Sequence, residues 1–162
     1  MSEKLNPLDE ALKFEKEGRD YFSEAASKAG DRMTREIYQY LALMETKHME
    51  DIQRIAGEMK KKGTFPDNAT LSVTTKSSEI FLKELEKLSR EEMLPQNEVS
   101  ALRNGLALEV RGREMYERLS EEATDQGESN FYRKLAGEEQ KHFQIIYEYL
   151  DFYESTGLRM QE

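Results

Sequence analysis

Both histidines of this chain follow a glutamate by three residues, in the pairs Glu45 and His48 and Glu139 and His142. Side chains three residues apart lie on the same face of a helix, so each pair can contact one metal ion. Carboxylate oxygen and imidazole nitrogen are ligands for iron, manganese and zinc. The two motifs therefore predict a metal centre built on two helices.

An internal repeat places the two motifs in the same register. Shifting the sequence by 94 residues aligns Leu8 to Ile52 with Leu102 to Ile146 without a gap, and 14 of the 45 aligned positions are identical. The identical pairs include Leu8/Leu102, Leu12/Leu106, Glu15/Glu109, Gly18/Gly112, Tyr38/Tyr132, Leu41/Leu135, Glu45/Glu139, His48/His142 and Ile52/Ile146. Glu15 and Glu109 interrupt apolar stripes at matching positions, so we expect them to supply the remaining ligands.

A surface role is the alternative for each motif taken alone. Glutamate supplies 26 of the 162 residues, so one glutamate three residues before a histidine is most simply a solvated pair. Its occurrence at both histidines, in one register of the repeat, favours a shared site instead. Four ionised carboxylates in a core would repel one another and lose their hydration, at a cost of several kcal/mol each. Two divalent cations would cancel that charge, so two metal ions are expected.

Apolar residues at three- and four-residue steps predict two helices in each repeat unit. Asn6 and Pro7 suit the start of the first helix, as N-cap and first helical residue. Gly30 and Gly63 suit the ends of the first and second helices. The turns near Gly30 and near Gln126-Gly127 are short, so the helices of each pair are expected to be antiparallel. The pattern predicts an all-α fold with four long helices.

A long connection, residues 63–97, separates the two repeat units. It exceeds the ~2–8 residues usual between helices of a bundle. We therefore predict a crossover that returns along the bundle, which is the ferritin-like topology. Within it, Ser78 can cap a short helix that ends before Leu94-Pro95 and lies against the bundle with its apolar residues Ile80, Phe81, Leu82, Leu85 and Leu88. One domain, residues 1–162, is expected to form this antiparallel four-helix bundle.

Four aromatic residues lie two turns from a candidate ligand on the same helix face: Phe22, Tyr38, Tyr116 and Tyr132. Aromatic residues at such positions are ordinarily part of the core, and we predict that role for all four. Tyr116 is also expected to donate a hydrogen bond to a ligand carboxylate, because a buried phenol needs a partner. Beyond the metal centre itself, the sequence predicts no separate catalytic residue.

Charge and composition argue against several other functions. The chain has 33 acidic and 24 basic residues and a formal charge of -9, which disfavours binding to nucleic acid. Cysteine is absent, so disulfides, thiol catalysis, iron–sulfur clusters and cysteine-bound zinc are excluded. No signal peptide and no apolar run of ~20 residues is evident, so we expect a soluble, cytoplasmic protein that does not bind a membrane.

The sequence resembles the rubrerythrin branch of the ferritin-like family over all four predicted long helices. The segment from Ala11 to Gly18, the two glutamate and histidine motifs and the segment Glu109-Val110-Arg111-Gly112 carry the resemblance. It implies a site for two iron ions. In that site Glu15 and Glu109 would be terminal ligands, Glu45 and Glu139 would bridge the ions, and His48 and His142 would each bind one ion.

Two features depart from the rubrerythrin pattern. Rubrerythrins proper carry a second glutamate one turn after the third-helix ligand, where this chain has Gly112. The residue that takes part in their redox-linked ligand exchange is thus missing. Their rubredoxin-like domain binds iron through cysteine, and this chain has no cysteine. We therefore expect electrons to come from an external donor, such as a rubredoxin-like protein.

Three functions are open at the level of sequence. The first is a di-iron oxidoreductase, a rubrerythrin-like peroxidase that reduces hydrogen peroxide or dioxygen under oxidative stress. The second is a ferroxidase or iron-handling protein, for which the same ligands serve but storage would need a hollow shell of many subunits. The third is a non-enzymatic interaction or sensing module held together by zinc or manganese. A homodimer or another small homo-oligomer is expected.

Overall fold

Four long helices and one short helix form the structure, a computed structural model that describes residues 6–85 and 96–156. The helices are α1 (Pro7–Lys28), α2 (Arg32–Lys62), α3 (Ser78–Leu85), α4 (Gln96–Glu122) and α5 (Gln126–Thr156). These residues contain no strand, and the predicted all-α class is confirmed. Of the predicted crossover features, Leu88 and Leu94-Pro95 lie outside the described residues.

The helix ends are formed by the local signals in the sequence. The Asn6 side chain accepts a hydrogen bond from the Asp9 amide at 2.9 Å, as expected for an N-cap before Pro7. α2 ends at Gly63, whose φ of 76° is left-handed and suits glycine. α1 ends two residues before Gly30, and the Gly30 amide instead donates to Glu98 Oε1 at 2.6 Å.

Contacts between the long helices define an antiparallel helical bundle. The three residues between α1 and α2 and the three between α4 and α5 reverse the chain. Tyr21 Oη donates to the Ala101 carbonyl at 2.5 Å, and Arg118 pairs with Glu10, so α1 and α4 also run in opposite directions. Each long helix therefore has antiparallel neighbours, and all four face a common interior.

The connection between α2 and α4 joins opposite ends of the bundle. Phe65, just after α2, packs on Phe131 near the start of α5. Glu98, at the start of α4, contacts Gly30, which lies in the turn just before α2. The two ends of α2, a helix of 31 residues, are about 46 Å apart. Along the way α3 packs on the bundle, where the Phe81 ring stacks on Tyr40 with centroids 4.4 Å apart.

The apolar core consists of two clusters, one on each side of a polar layer. One cluster lies towards the α1–α2 turn and includes Phe22, Tyr38, Leu41, Leu102, Ile146 and Tyr149. The other lies towards the end of α2 and includes Leu8, Ile52, Tyr116, Phe131, Tyr132 and Leu135. The four aromatic residues predicted as core are no more than 1% exposed. Within the described helices, no segment combines the length and apolarity needed to cross a bilayer.

Candidate metal centre

The polar layer between the two clusters contains all six candidate ligands. Their side chains come from four helices: Glu15 from α1, Glu45 and His48 from α2, Glu109 from α4, and Glu139 and His142 from α5. None of the six residues is more than 1% exposed. The surface alternative for the two motifs is therefore wrong.

The six side chains form two overlapping groups that could each hold a metal ion. One group is Glu15, Glu45, His48 and Glu139, and the other is Glu45, Glu109, Glu139 and His142. In each group one ligand atom from every residue lies within 4.8 Å of the others. Glu45 and Glu139 belong to both groups. The two candidate metal positions thus share two carboxylates.

Both imidazole rings direct Nδ1 towards the carboxylates. His142 Nδ1 lies 3.0 Å from Glu45 Oε1 and 3.5 Å from Glu109 Oε2. His48 Nδ1 lies 3.5 Å from Glu15 Oε1 and 4.0 Å from Glu139 Oε1. The rings are nearly parallel, with an angle of 12° between their planes and centroids 5.7 Å apart. Nδ1 is therefore the atom of each histidine that can bind a metal ion.

The opposite nitrogen of each histidine contacts Glu138 or Thr75, two buried residues that the sequence analysis did not select. His48 Nε2 lies 3.2 Å from Glu138 Oε1, and His142 Nε2 lies 2.9 Å from Thr75 Oγ1. The Thr75 amide and hydroxyl donate to Glu138 Oε1 at 2.8 and 2.9 Å. An Nε2 proton on each ring satisfies these contacts, and a ring without a proton on Nδ1 presents the lone pair of that nitrogen to a metal ion.

Glu138 is held as a carboxylate. Burial raises its pKa, but the hydrogen bond and charge of His48 and the hydrogen bonds from Thr75 outweigh burial and lower that pKa to about 2. Lys141 Nζ lies 3.3 Å from the other oxygen, Glu138 Oε2. The residue is thus a charged hydrogen-bond acceptor behind the histidine layer.

Tyr116 supplies the predicted hydrogen bond to a candidate ligand. Its hydroxyl donates to Glu15 Oε1 at 2.5 Å, and both residues are fully buried. Burial raises the pKa of Glu15, but the charge of His48 and hydrogen bonds that include the one from Tyr116 bring it down to about 2. Glu15 is therefore already ionised and oriented before a metal ion binds.

The two shared carboxylates have the opposite electrostatic character. Burial and the charges of neighbouring glutamates raise the pKa of Glu45 and the pKa of Glu139 well above the usual value. Burial also raises the pKa of Glu109, to about 7. Without a metal ion the centre therefore keeps protons on some of its carboxylates at neutral pH.

The distribution of unsatisfied polar atoms matches the ligand set. In residues 6–85 and 96–156, nine buried side-chain nitrogen or oxygen atoms lack a hydrogen-bond partner. Seven of the nine belong to candidate ligands: Glu15 Oε2, Glu45 Oε2, His48 Nδ1, both oxygens of Glu109 and both oxygens of Glu139. Buried polar atoms are normally paired. Coordination to cations would satisfy all seven, so these residues fit a metal centre.

Metal binding should release protons, because Glu45 and Glu139 must lose theirs to become ligands. Burial and neighbouring carboxylates raise the pKa of both residues, so binding displaces protons and apparent affinity should rise with pH, by about tenfold per pH unit for each proton displaced. Calorimetric titration with Mn²⁺ in buffers of different ionisation enthalpy measures this release. We expect at least two protons per chain, with further release from Glu109, whose pKa is about 7, and from the charged His48 ring. An enthalpy that does not depend on the buffer would contradict the expectation.

Two glycines related by the repeat make room for the shared carboxylates. A Cβ atom at Gly18 would lie 3.2 Å from Glu45 Oε2, and one at Gly112 would lie 3.2 Å from Glu139 Oε2. At Gly112 the added atom would also lie 2.6 Å from Phe14 Cε1. Position 112 thus accepts only a hydrogen atom while Phe14 and Glu139 keep these positions.

Gly112→Ala should lower the free energy of unfolding by about 1–3 kcal/mol, the usual cost of overpacking a core. Gly57→Ala is the matched control, because Gly57 is exposed within α2 and no atom lies within 4 Å of its added Cβ. This control should gain about 1 kcal/mol from helix propensity. Chemical denaturation of the metal-free proteins measures both values, and equal stabilisation by the two substitutions would show that the contact at Gly112 is unimportant.

Comparison with known proteins adds no assignment to this site. No protein-family model matches the chain, and neither the curated proteins nor the solved structures include a match to it.

Proposed function

We propose that this protein is a non-haem di-iron oxidoreductase with a ferritin-like four-helix bundle, which reduces hydrogen peroxide or dioxygen with electrons from an external donor. One observation carries the proposal: two groups of four buried ligands share Glu45 and Glu139. In the proposed centre, Glu45 and Glu139 would serve as ligands to both ions. Glu15 and His48 complete one position, and Glu109 and His142 complete the other.

Charge balance supports two divalent ions over one. Four carboxylates bring four negative charges, and two neutral imidazoles bring none, so two divalent cations leave the buried layer close to neutral. A single cation would leave a net negative charge between two apolar clusters, where desolvation is costly. Oxygen-rich ligand sets with imidazole and without thiolate suit iron and manganese, which is why iron is proposed.

The reaction needs two electrons and two protons for each peroxide reduced to two water molecules. When bound, a pair of ferrous ions supplies the two electrons, which an external reductant such as a rubredoxin-like protein restores. The chain holds and orients the centre: Tyr116 positions Glu15, and Glu138 and Thr75 orient the two imidazoles. Apolar clusters on both sides limit the access of bulk water to the layer.

Anaerobic iron loading followed by rapid mixing with peroxide tests the proposal. One equivalent of peroxide should oxidise both ferrous ions of the loaded protein within seconds. A chelator that gives a signal only with ferrous iron measures how much of it remains. The same mixing with dissolved dioxygen identifies the preferred oxidant. A centre that binds iron and stays ferrous with both oxidants would refute the proposed oxidoreductase and favour a structural role for the metal.

The size of the oligomer, measured by solution scattering, distinguishes an oxidoreductase from an iron-storage protein. The same ligands could hold ferrous ions while dioxygen or peroxide oxidises them for storage, but a mineral store needs a closed shell of many subunits. A dimer or another small oligomer in scattering would support the oxidoreductase, whereas a hollow shell would support the ferroxidase alternative.

A further inference from the structure

We infer that the two metal positions are inequivalent, and that the position formed by Glu15 and His48 binds its ion more tightly and fills first. The inference deepens the proposed function and depends on its two-ion centre. It concerns affinity, so it does not require the proposed reaction with peroxide.

The repeat makes the candidate ligands themselves equivalent. Glu15, Glu45 and His48 correspond to Glu109, Glu139 and His142 under the shift of 94 residues. The two four-residue groups accordingly contain the same side-chain types. Any difference between the two positions must then come from the residues behind the ligands.

The first difference lies behind the two unshared glutamates. Tyr116 donates to Glu15 Oε1 at 2.5 Å, whereas the residue equivalent to Tyr116 in the first repeat unit is Phe22, which has no hydroxyl. Both aromatic side chains are fully buried. Neither oxygen of Glu109 has a hydrogen-bond partner among the described residues. Only Glu15 is therefore oriented by a tyrosine before metal binds.

The second difference lies behind the two histidines. His48 Nε2 contacts the carboxylate of Glu138 at 3.2 Å, whereas His142 Nε2 contacts the neutral hydroxyl of Thr75 at 2.9 Å. The residue equivalent to Glu138 in the first repeat unit is Met44, which is also buried and has no carboxylate to accept a hydrogen bond from His142. A carboxylate behind an imidazole increases the basicity of the ring and orients it more strongly than a hydroxyl does.

Both differences favour the same position. Glu15 and His48 belong to one four-residue group, and each has the stronger partner behind it. Partners of this kind typically change metal affinity by about 10- to 100-fold. We therefore expect the affinities of the two positions to differ by at least about tenfold.

Substoichiometric loading tests the order of filling directly. Metal-free protein is loaded with one equivalent of Co²⁺ per chain and crystallised, and anomalous scattering gives the occupancy of each position. Several-fold higher occupancy beside Glu15 and His48 is expected, with two resolved steps in a calorimetric titration. Equal occupancies, or higher occupancy beside Glu109 and His142, would overturn the inference while leaving a two-ion centre intact. Failure to bind any Co²⁺, Mn²⁺ or Fe²⁺ would refute the proposed function as well.

Near-isosteric variants test the cause of the difference. Tyr116→Phe removes the hydroxyl that its equivalent Phe22 also lacks, and Glu138→Gln keeps an acceptor but removes the charge. Each should weaken binding of the first ion by about tenfold or more and bring the two occupancies closer together. Tyr132→Phe is the matched control, because its hydroxyl bonds to Glu128 rather than to a candidate ligand. An order of filling that neither variant changes would refute this explanation.

Discussion

Glu139→Gln should weaken metal binding at both proposed positions at once, because this carboxylate belongs to both groups of candidate ligands. An amide oxygen brings no charge, so each ion would lose part of its charge compensation and one of its ligand atoms. We expect affinity to fall by more than about 100-fold at both positions, a larger effect than the loss of a residue behind a ligand. Metal analysis after loading and desalting measures how many ions the variant retains.

Stability provides an internal check on that variant. In the metal-free protein, Glu139→Gln removes a group whose pKa is raised by burial and by neighbouring carboxylates, so the variant should be at least as stable as the unsubstituted chain. Once metal is added, the unsubstituted chain should become more stable than the variant, because it binds the ions more tightly. Glu148→Ala serves as control, because Glu148 lies about 13 Å further along the same helix and belongs to neither candidate group. This variant should bind metal normally. Retention of two ions by Glu139→Gln would disprove the shared role of Glu139.

Metal binding should raise the thermal unfolding midpoint by about 15–30 °C. An ion present at about 1,000 times its Kd adds about 4 kcal/mol, so two ions add about 8 kcal/mol. In a chain of this size 1 kcal/mol shifts Tm by about 2–4 °C. The gain is large because the metal-free layer keeps unsatisfied oxygens and repelling carboxylates buried.

Calorimetric scans of metal-free protein with and without Mn²⁺ measure this shift. Excess chelator should return the unfolding midpoint to its metal-free value, and metal should raise the midpoint of Glu139→Gln only slightly. A shift below about 4 °C at saturating metal would mean that the ions contribute less than about 2 kcal/mol, far less than binding at two buried sites requires.

Helix positions and candidate ligands could be predicted because both depend on local periodicity. Residues at three- and four-residue steps share a helix face in any α-helix, so Glu45 and His48 had to point the same way once α2 formed. The repeat then supplied the second copy of each ligand without further assumptions. Glycine and asparagine marked α-helix ends for equally local reasons, since the conformation of Gly63 and the cap at Asn6 involve only neighbouring residues.

Glu138 and Thr75 could not be predicted in the same way. Glu138 directly precedes a ligand, and adjacent residues on a helix point about 100° apart, so its partner depends on what packs behind α5. Thr75 lies in the connection before α3, where no periodicity indicates its orientation. The adjacent glutamates at 138 and 139 were the only sequence signal, and a glutamate-rich chain contains several such pairs.

The amino-acid sequence by itself determined the helices, their ends and the six side chains that face the interior, because backbone geometry and burial of apolar stripes act within each repeat unit. Only the tertiary structure decided which nitrogen of each histidine faces the carboxylates and which residues stand behind them. Those contacts join segments distant in the chain, such as Thr75 with His142 and Tyr116 with Glu15. They depend on how the two units and their connection pack together, and this packing makes a duplicated set of ligands asymmetric.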